Sequence, residues 1–136
     1  MARSFDIHTD GGARGNPGPA GIGVVIAENG KIVEAFGRFL GDHLTNNQAE
    51  YLAVEAALQR AKELGGTDLR LFIDSELISS QLRREYKIKN PELGKIFLRV
   101  WNLMQDFVSV KIFSIRREEN SAADAEVNRA IDAAGY

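Results

Sequence analysis

Residues 20–40, AGIGVVIAENGKIVEAFGRFL, hold two segments rich in apolar residues that are separated by one turn dipeptide. The dipeptide is Asn29-Gly30, and both of its residues tolerate the positive φ angles that a tight hairpin requires. The stretch therefore predicts an antiparallel pair of strands at about 20–28 and 31–40. This hairpin decides the fold, because the remaining elements must extend or cover the sheet that it begins.

The segments on either side of the hairpin add one strand before it and an alternation of helices and strands after it. The sequence predicts a strand at 3–9, a Gly/Pro loop at 11–19, a helix at 46–64, a strand at 69–73, helices at about 75–84 and 91–106, a strand at 108–115 and a helix at 122–133. The order is βββαβααβα. We expect an α/β fold with a five-stranded mixed sheet, three antiparallel strands and then two parallel ones, flanked by helices on both faces.

Length and composition limit the classes of protein that the chain can belong to. With 136 residues, 44% of them apolar, we expect a single domain spanning residues 1–136 with its own core. There is no cysteine, which excludes disulfides and thiolate metal sites. We find neither a signal peptide nor an apolar run of the ~20 residues that a membrane span needs, so we expect a cytoplasmic protein without a membrane partner, monomeric by default.

The charge of the chain is close to balanced, at −2, which argues against a protein that coats nucleic acid unspecifically. Within residues 83–99, however, six cations face two anions, a local excess of +4. The cations of this basic segment are Arg83, Arg84, Lys87, Lys89, Lys95 and Arg99. The basic segment is either a phosphate-facing surface or a solvated helix face, and charge alone favours the second interpretation.

Two acidic residues follow strands of the predicted sheet. Asp10 comes at the end of the first strand, and Asp74 at the end of the fourth. Ligands of open α/β sheets bind at the carboxyl ends of strands, and the two side chains share one cleft if these strands pair in parallel. Asp74 has a simpler interpretation as a helix cap, and Asp10 as a residue that organises the glycine-rich turn.

Two further carboxylates begin apolar helix stripes. Glu50 opens the stripe that continues at helical spacing through Ala53, Val54, Ala57, Ala61 and Leu64. Asp124 stands three and seven residues before Val127 and Ile131. Both acids are therefore expected to face the sheet, although each also suits the positive end of its helix.

Four acids in one place require compensation, because two unit charges ~4 Å apart repel by about 4 kcal/mol at an effective dielectric near 20. Carboxylate oxygens without cysteine or a suitably placed histidine favour Mg²⁺ or Mn²⁺ over Zn²⁺. Two such ions ~3.5–4 Å apart stabilise both the attacking and the leaving oxygen of a phosphodiester displacement. The acids thus indicate a metal-dependent enzyme that acts on phosphodiesters.

Five ordered blocks of the sequence resemble ribonuclease H of type 1. They are Asp10-Gly11-Gly12, residues 16–21 (NPGPAG), residues 45–50 (TNNQAE), Asp74-Ser75 and residues 117–124 (REENSAAD). The resemblance implies a ribonuclease H-like fold and an endonuclease that cuts the RNA strand of RNA–DNA hybrids, leaving 5′-phosphate and 3′-hydroxyl ends. It also implies a site of four catalytic metal ligands, Asp10, Glu50, Asp74 and Asp124, that holds two Mg²⁺ ions, with Asp10 shared and Asp124 the most loosely held, and with Mn²⁺ as a substitute.

The same resemblance assigns contacts with the hybrid. The implied substrate-binding residues are Gly11, Gly12, Asn16, Thr45, Asn46, Asn47, Gln48, Lys89 and Asn90. Asn and Gln amides both donate and accept, which suits a 2′-hydroxyl, the group that distinguishes RNA from DNA. Thr45 has the alternative role of a helix cap. Tyr86 either packs along the DNA strand or belongs to the core.

The chain departs from the family pattern before its last acid, where many members carry a histidine that is thought to aid product release. Arg117 lies near that position but cannot act as a base near neutral pH, so Glu118 or Glu119 is the candidate for product release. The chain is also too short after Ile88 for the long basic helix and loop, or handle, of some members. We expect this compact form to lack an N-terminal hybrid-binding domain and to bind substrate more weakly than members that carry the handle.

Two other functions remain open. The first is another nuclease of the same fold, such as a resolvase, transposase or exonuclease, although these would lack the Asn46-Asn47-Gln48 block. The second is a non-catalytic module that binds hybrids, although such a module would be expected to have lost at least one acid. A minor activity on duplex RNA also remains open, both for a ribonuclease H and for another nuclease of the same fold.

Overall fold

The computed structural model describes residues 1–85 and 87–136, so the prediction for Tyr86 lies outside the described residues. The elements are β1 (Ser4–Ala13), β2 (Gly18–Glu28), β3 (Lys31–Leu44), α1 (Asn46–Glu63), β4 (Asp68–Ile73), α2 (Glu76–Leu82), α3 (Pro91–Met104), β5 (Ser109–Ser114), a 3₁₀ turn (Arg117–Glu119) and α4 (Ser121–Ala133). The predicted order βββαβααβα is confirmed.

The five strands form one mixed sheet in the order β3-β2-β1-β4-β5. β1 and β2 are antiparallel, as are β2 and β3, whereas β4 pairs in parallel with both β1 and β5. The predicted sheet is therefore confirmed, including the parallel pairing of the first and fourth strands. Its last residue pair between β1 and β4 is Thr9 with Ile73, directly before Asp10 and Asp74.

The predicted loop at 11–19 is wrong in its first part, because β1 continues through Ala13 and stays paired with β2. Gly11 was interpreted as turn punctuation, but it serves close packing instead. A Cβ atom on Gly11 would lie 2.2 Å from the carbonyl oxygen of Ala49 in α1. The glycine thus lets the helix approach the strand at the place where Asp10 and Glu50 must meet.

The two faces of the sheet are covered by different helices. α1 and α3 pack together on one face, where the predicted stripe residues Ala53, Val54, Ala57 and Ala61 are buried. α4 covers the opposite face over β2 and β3. There a Cβ atom on Gly23 would lie 2.0 Å from the carbonyl oxygen of Ala123, so the helix rests directly on the strand backbone.

Among the helices of residues 1–85 and 87–136, none combines the length and the apolar character that crossing a membrane requires.

Candidate active site

Three acidic side chains from three different elements meet at the end of the β1–β4 ladder. Asp10, Glu50 and Asp74 each offer a carboxylate oxygen, and these oxygens lie within 4.8 Å of one another. Asp10 and Glu50 are buried and Asp74 is half-buried. The cluster has the donor type that a hard divalent cation requires, and its three side chains could hold a metal ion.

The backbone places each of these three acids. Asp10 and Asp74 occupy equivalent positions after the last parallel pair, so their side chains reach the same edge of the sheet. Glu50 comes from the first turns of α1 and is fixed by the N–H of Gly11, which donates to its Oε1 at 2.6 Å. The close approach at Gly11 therefore sets the distance between the first and second acids.

Burial dominates the electrostatics of the cluster. It raises the pKa of Asp10 to about 7, and the charges of Asp74 and Asp124 add to the rise. It also raises the pKa of Glu50 well above the ordinary value, with the neighbouring Asp10 carboxylate as the next contribution. The metal-free pair therefore holds a proton near neutral pH, since water does not stabilise two charges there.

Asp124 lies at the rim of the cluster and not inside it. Its side chain lines the same cleft and interacts with Asp10, but it is exposed and is not one of the three acids within 4.8 Å. The expectation that Asp124 faces the sheet is wrong, because α4 turns Ala123, Val127 and Ile131 inward. The acid consequently points along the edge of the sheet toward the cleft.

The cluster forms part of an open cleft of about 530 Å³. Its lining residues are Asp10, Gly11, Gly12, Ala13, Arg14, Asn46, Asn47, Glu50, Asp74, Ser75, Arg117, Asp124, Val127, Asn128 and Ile131. Of the residues assigned to substrate by resemblance, Gly11, Gly12, Asn46 and Asn47 line this cleft. Asn16, Thr45, Gln48, Lys89 and Asn90 lie outside its described lining.

Several predicted substrate residues also have structural roles. Thr45 and Gln48 form a reciprocal capping box at the start of α1, so the helix-cap interpretation of Thr45 is confirmed. Asn46 accepts from the N–H of Ala13 at 2.8 Å and donates its own N–H to Asn16 Oδ1 at 3.0 Å. These bonds leave the side-chain amide nitrogens of Asn16 and Asn46 as donors.

Glu118 and Glu119, the acids proposed for product release, both lie beside Arg116. The Arg116 guanidinium is 3.6 Å from Glu118 Oε1 and 3.3 Å from Glu119 Oε1. The Arg116 N–H and side chain hold the pKa of Glu119 below its usual value. Arg117 lines the cleft, whereas Glu118 and Glu119 are exposed outside its described lining.

The basic segment is less uniform than its sequence indicates. Arg99 forms a two-pronged ion pair with Glu55 of α1, and Arg84 lies over the ring of Trp101 at 5.1 Å. Asn90 caps α3 by accepting from the N–H groups of Glu92 and Leu93. Among its cations, Lys87, Lys89 and Lys95 remain exposed, and none of the three has an ion pair within the described residues.

Sequence reasoning missed two residues of the site. Asn120 is buried and donates to the Asp74 carboxylate, and Arg14 lines the cleft while pairing with Asp132 at 2.7 Å. Asn120 was visible within the block at 117–124, but it is uncharged and precedes the helix. The only signal in the sequence was that Asn120 precedes Asp124 by four residues.

Comparison with known proteins shows similarity along most of the chain. Residues 8–130 match the family model described as Reverse transcriptase-like. The chain is 40% identical over 124 residues to ribonuclease HI of Halobacterium salinarum, covering 90% of this chain and 62% of that protein. It is 37% identical over 130 residues to the bifunctional protein Rv2228c of Mycobacterium tuberculosis, covering 94% of this chain and 35% of that protein. The chain thus spans less than two thirds of the length of these relatives.

Solved structures match nearly all of this chain and of their own. The crystal structure of LC11-RNase H1 in complex with an RNA/DNA hybrid has a TM-score of 0.91 and 40% sequence identity. The match covers 96% of this chain and 98% of that one. The shared architecture therefore includes the edge of the sheet where the three acids meet.

Proposed function

The chain belongs to the type 1 ribonuclease H family, and from this premise we propose that it is an endonuclease that hydrolyses the RNA strand of RNA–DNA hybrids. The observation that carries the proposal is the cluster of Asp10, Glu50 and Asp74, whose oxygens lie within 4.8 Å of one another. We propose that the products carry 5′-phosphate and 3′-hydroxyl ends.

The residues of the cluster fit a hard divalent cation. All donors are carboxylate oxygens, and burial together with neighbouring carboxylates raises the pKa values of Asp10 and Glu50, so a bound cation would relieve the repulsion among them. Asp10, Glu50 and Asp74 would hold the metal, with Asp124 contributing from the rim. When bound, two Mg²⁺ or Mn²⁺ ions supply positive charge beside the attacking and leaving oxygens of a phosphodiester displacement.

The side chains around the cluster contribute orientation. Asp10 interacts with the other three acids, which makes it the centre of the site. Gly11 fixes Glu50 through its N–H, so the Glu50 carboxylate keeps its orientation beside Asp10. Replacing Asp10 removes the acid whose pKa responds to all three of the others.

Recognition of the RNA strand falls to the amides beside the cluster. Asn47 is half-buried in the cleft, and Asn46 retains its amide donor after bonding to Ala13. A 2′-hydroxyl both donates and accepts, so an amide in contact with it distinguishes RNA from DNA. Lys87, Lys89 and Lys95 would meet the phosphates of the DNA strand. Action as a monomer in the cytoplasm stays a prediction.

The test is a cleavage assay on an end-labelled hybrid, with DNA duplex and RNA duplex in parallel. We expect Mg²⁺-dependent cleavage of the RNA strand of the hybrid, abolished by EDTA, with product ends that a ligase accepts as 5′-phosphates. Preferential cleavage of DNA duplex would support another nuclease of this fold. An intact hybrid in the presence of Mg²⁺ and Mn²⁺ would support the binding module instead.

The first prediction concerns Asp10→Asn, which keeps the size of the side chain but removes the central charge. We expect hybrid cleavage to fall by several orders of magnitude, because removing an essential group of a site typically costs 10³-fold or more. Circular dichroism should show an unchanged fold. Near-normal turnover of this variant would mean that the site has been assigned to the wrong residues.

A further inference from the structure

The strongest feature that the proposed function leaves unused is Asn120, which lies between the 3₁₀ turn and α4. Its side chain is 1% exposed. The amide nitrogen Nδ2 donates two hydrogen bonds, to the carbonyl oxygen of Thr9 at 2.8 Å and to Asp74 Oδ2 at 2.9 Å. Both acceptors lie at the end of the β1–β4 ladder, where the acidic cluster begins.

The position of these acceptors explains why an amide is required. Thr9 belongs to the last residue pair of β1 and β4, and its carbonyl oxygen accepts a hydrogen bond from Asn120 Nδ2. The backbone oxygen of Asn120 in turn accepts from the N–H of Asp124 at 3.1 Å, in the first turn of α4. One residue therefore ties together the three segments that deliver Asp10, Asp74 and Asp124.

The charge state of the side chain suits a metal site. Carboxylates that share a site repel one another, and a hydrogen-bond donor fixes the orientation of the one that it contacts. A lysine or arginine would hold Asp74 more strongly, but its charge would compete with a cation for the same oxygens. The neutral amide of Asn120 orients Asp74 Oδ2 and leaves the negative charge of the cluster available.

The second amide atom gives an independent indication. Asn120 Oδ1 is buried and has no hydrogen-bond partner among the described residues. An unpaired buried acceptor lowers stability, and such atoms are rare in native proteins. All the hydrogen bonds that the Asn120 side chain makes within the described residues are therefore on its donor side, toward Thr9 and Asp74.

We infer that Asn120 is a positioning residue for the divalent-metal site, acting through Asp74 and the Thr9 carbonyl. The inference rests on the proposed function, because it assumes that the acidic cluster binds the metal. In this role Asn120 orients the ligand Asp74 and sets the spacing of β1, β4 and α4. Asn120 does not contact substrate in this role.

The test measures metal binding without substrate. Mn²⁺ is titrated into wild type and Asn120→Ala, with binding followed by calorimetry at a temperature where circular dichroism shows both to be folded. We expect the variant to bind Mn²⁺ about 10- to 100-fold more weakly, which is the usual effect of removing a residue that orients a ligand. Affinity within twofold of wild type would overturn the inference.

The matched control is Val100→Ala, which truncates a fully buried side chain of α3, a helix that contributes no residue to the described lining of the cleft. It should lower the melting temperature but leave Mn²⁺ affinity unchanged, so weaker binding by Asn120→Ala cannot be ascribed to lost stability alone. Equal weakening in both variants would assign Asn120 a purely structural role. Asn120→Ser introduces a residue that caps helices well, where the side chain of Asn120 itself makes no capping bond to α4, and it carries the same expectation if the alanine variant does not fold.

A measurement on the unmodified protein covers the case in which neither variant folds. The side-chain amide signals of Asn120 in nuclear magnetic resonance spectra should shift with Mg²⁺ along the same titration curve as the backbone amide of Gly11, while those of the exposed Asn102 should not. Signals that stay unchanged at saturating Mg²⁺ would contradict the inference. Wild type that binds metal but leaves hybrids intact would refute the proposed function and leave the role of Asn120 testable.

Discussion

Asp10 is 8% exposed and lies against a second buried carboxylate, so the metal-free site must keep a proton or tolerate repulsion. Two such charges at ~4 Å oppose folding by about 4 kcal/mol at an effective dielectric near 20. The arrangement therefore lowers stability in the absence of a cation and favours binding when one is present. Asp10 and its buried neighbour are thus placed for metal binding, and the protein is less stable for it when no metal is bound.

The pH dependence of stability follows from this conflict. The pKa of Asp10 is raised from 3.8 to about 7 in the folded protein, so between these values the folded state binds more protons than the unfolded state. The contribution of Asp10 to the free energy of unfolding is therefore fully present below about pH 4 and is lost as the pH rises through about 7. Glu50, whose pKa is also raised, changes stability in the same direction.

The measurement is thermal unfolding in EDTA from about pH 4 to about pH 8. The melting temperature of Asp10→Asn minus that of wild type should increase with pH, because asparagine carries no charge at any pH. Taking the difference removes the titration of remote acids such as Glu28, whose pKa Arg3 lowers. Added Mg²⁺ should stabilise wild type more than the variant. A melting-temperature difference that does not change with pH would show that the charge of Asp10 does not destabilise the folded protein.

The same side chains show what a sequence can predict about a site. The inward position of Glu50 followed from helical spacing, because five apolar residues fixed the buried face of α1. Asp124 had only two apolar residues to define its stripe, and the prediction was off by one position on the helix. Asn120 carries no charge and no periodicity, so its role depends on contacts that only the fold creates.

At the scale of secondary structure, α4 depends on glycine for its distance from the sheet. Cβ atoms on Gly23 and Gly37 would lie 2.0 Å and 2.4 Å from carbonyl oxygens of the helix. The close approach sets the depth at which Asp124 enters the cleft. The height of the helix above the sheet and the geometry of the acids are thus coupled.

Gly23→Ala tests this coupling. The added methyl group meets the backbone oxygen of Ala123, so α4 must move away and carry Asp124 with it. We expect a loss of about 1–3 kcal/mol in the free energy of unfolding, as for other overpacked sites. Turnover of the hybrid should fall more than its KM rises. Chemical denaturation and steady-state kinetics measure both effects.

Gly94→Ala is the matched control, because nothing lies within 4 Å of the position that its Cβ would occupy in α3. Alanine is the better helix former by up to about 1 kcal/mol, so this variant should be more stable and equally active. If Gly23→Ala were as stable and active as wild type, the sheet would have to move in place of α4, and the proposed coupling between α4 and Asp124 would be wrong.

Strand boundaries mark the limit of prediction at this scale. The order of elements and the parallel pairing of β1 and β4 followed from the sequence, because apolar segments and turn residues are local signals. The end of β1 did not follow. Glycines at 11 and 12 resemble a turn in one dimension, but in the folded protein they continue the strand under a closely packed helix.

Over the whole molecule, charges are distributed unevenly although their sum is only −2. Four acids gather at one cleft, and three exposed lysines of the basic segment lie in the region around the start of α3. Under the proposed function, the phosphates of a hybrid would meet bound metal ions, Arg14 and Arg117 at the cleft and the three lysines outside it. Binding should depend steeply on salt, since each neutralised phosphate releases counterions.

The salt dependence separates lysines that contact phosphate from cations that hold the fold. Lys89→Ala should weaken hybrid binding and reduce the slope of log K against log salt by about 1, because one phosphate contact is lost. Arg99→Ala should leave the slope unchanged, because its guanidinium is committed to Glu55 of α1, and should lower stability slightly.

Fluorescence anisotropy in the Asp10→Asn background measures binding without cleavage, from about 50 to 200 mM salt. Equal slopes for wild type and Lys89→Ala would remove Lys89 from the interface, and a reduced slope for Arg99→Ala would mean that the hybrid displaces the ion pair with Glu55.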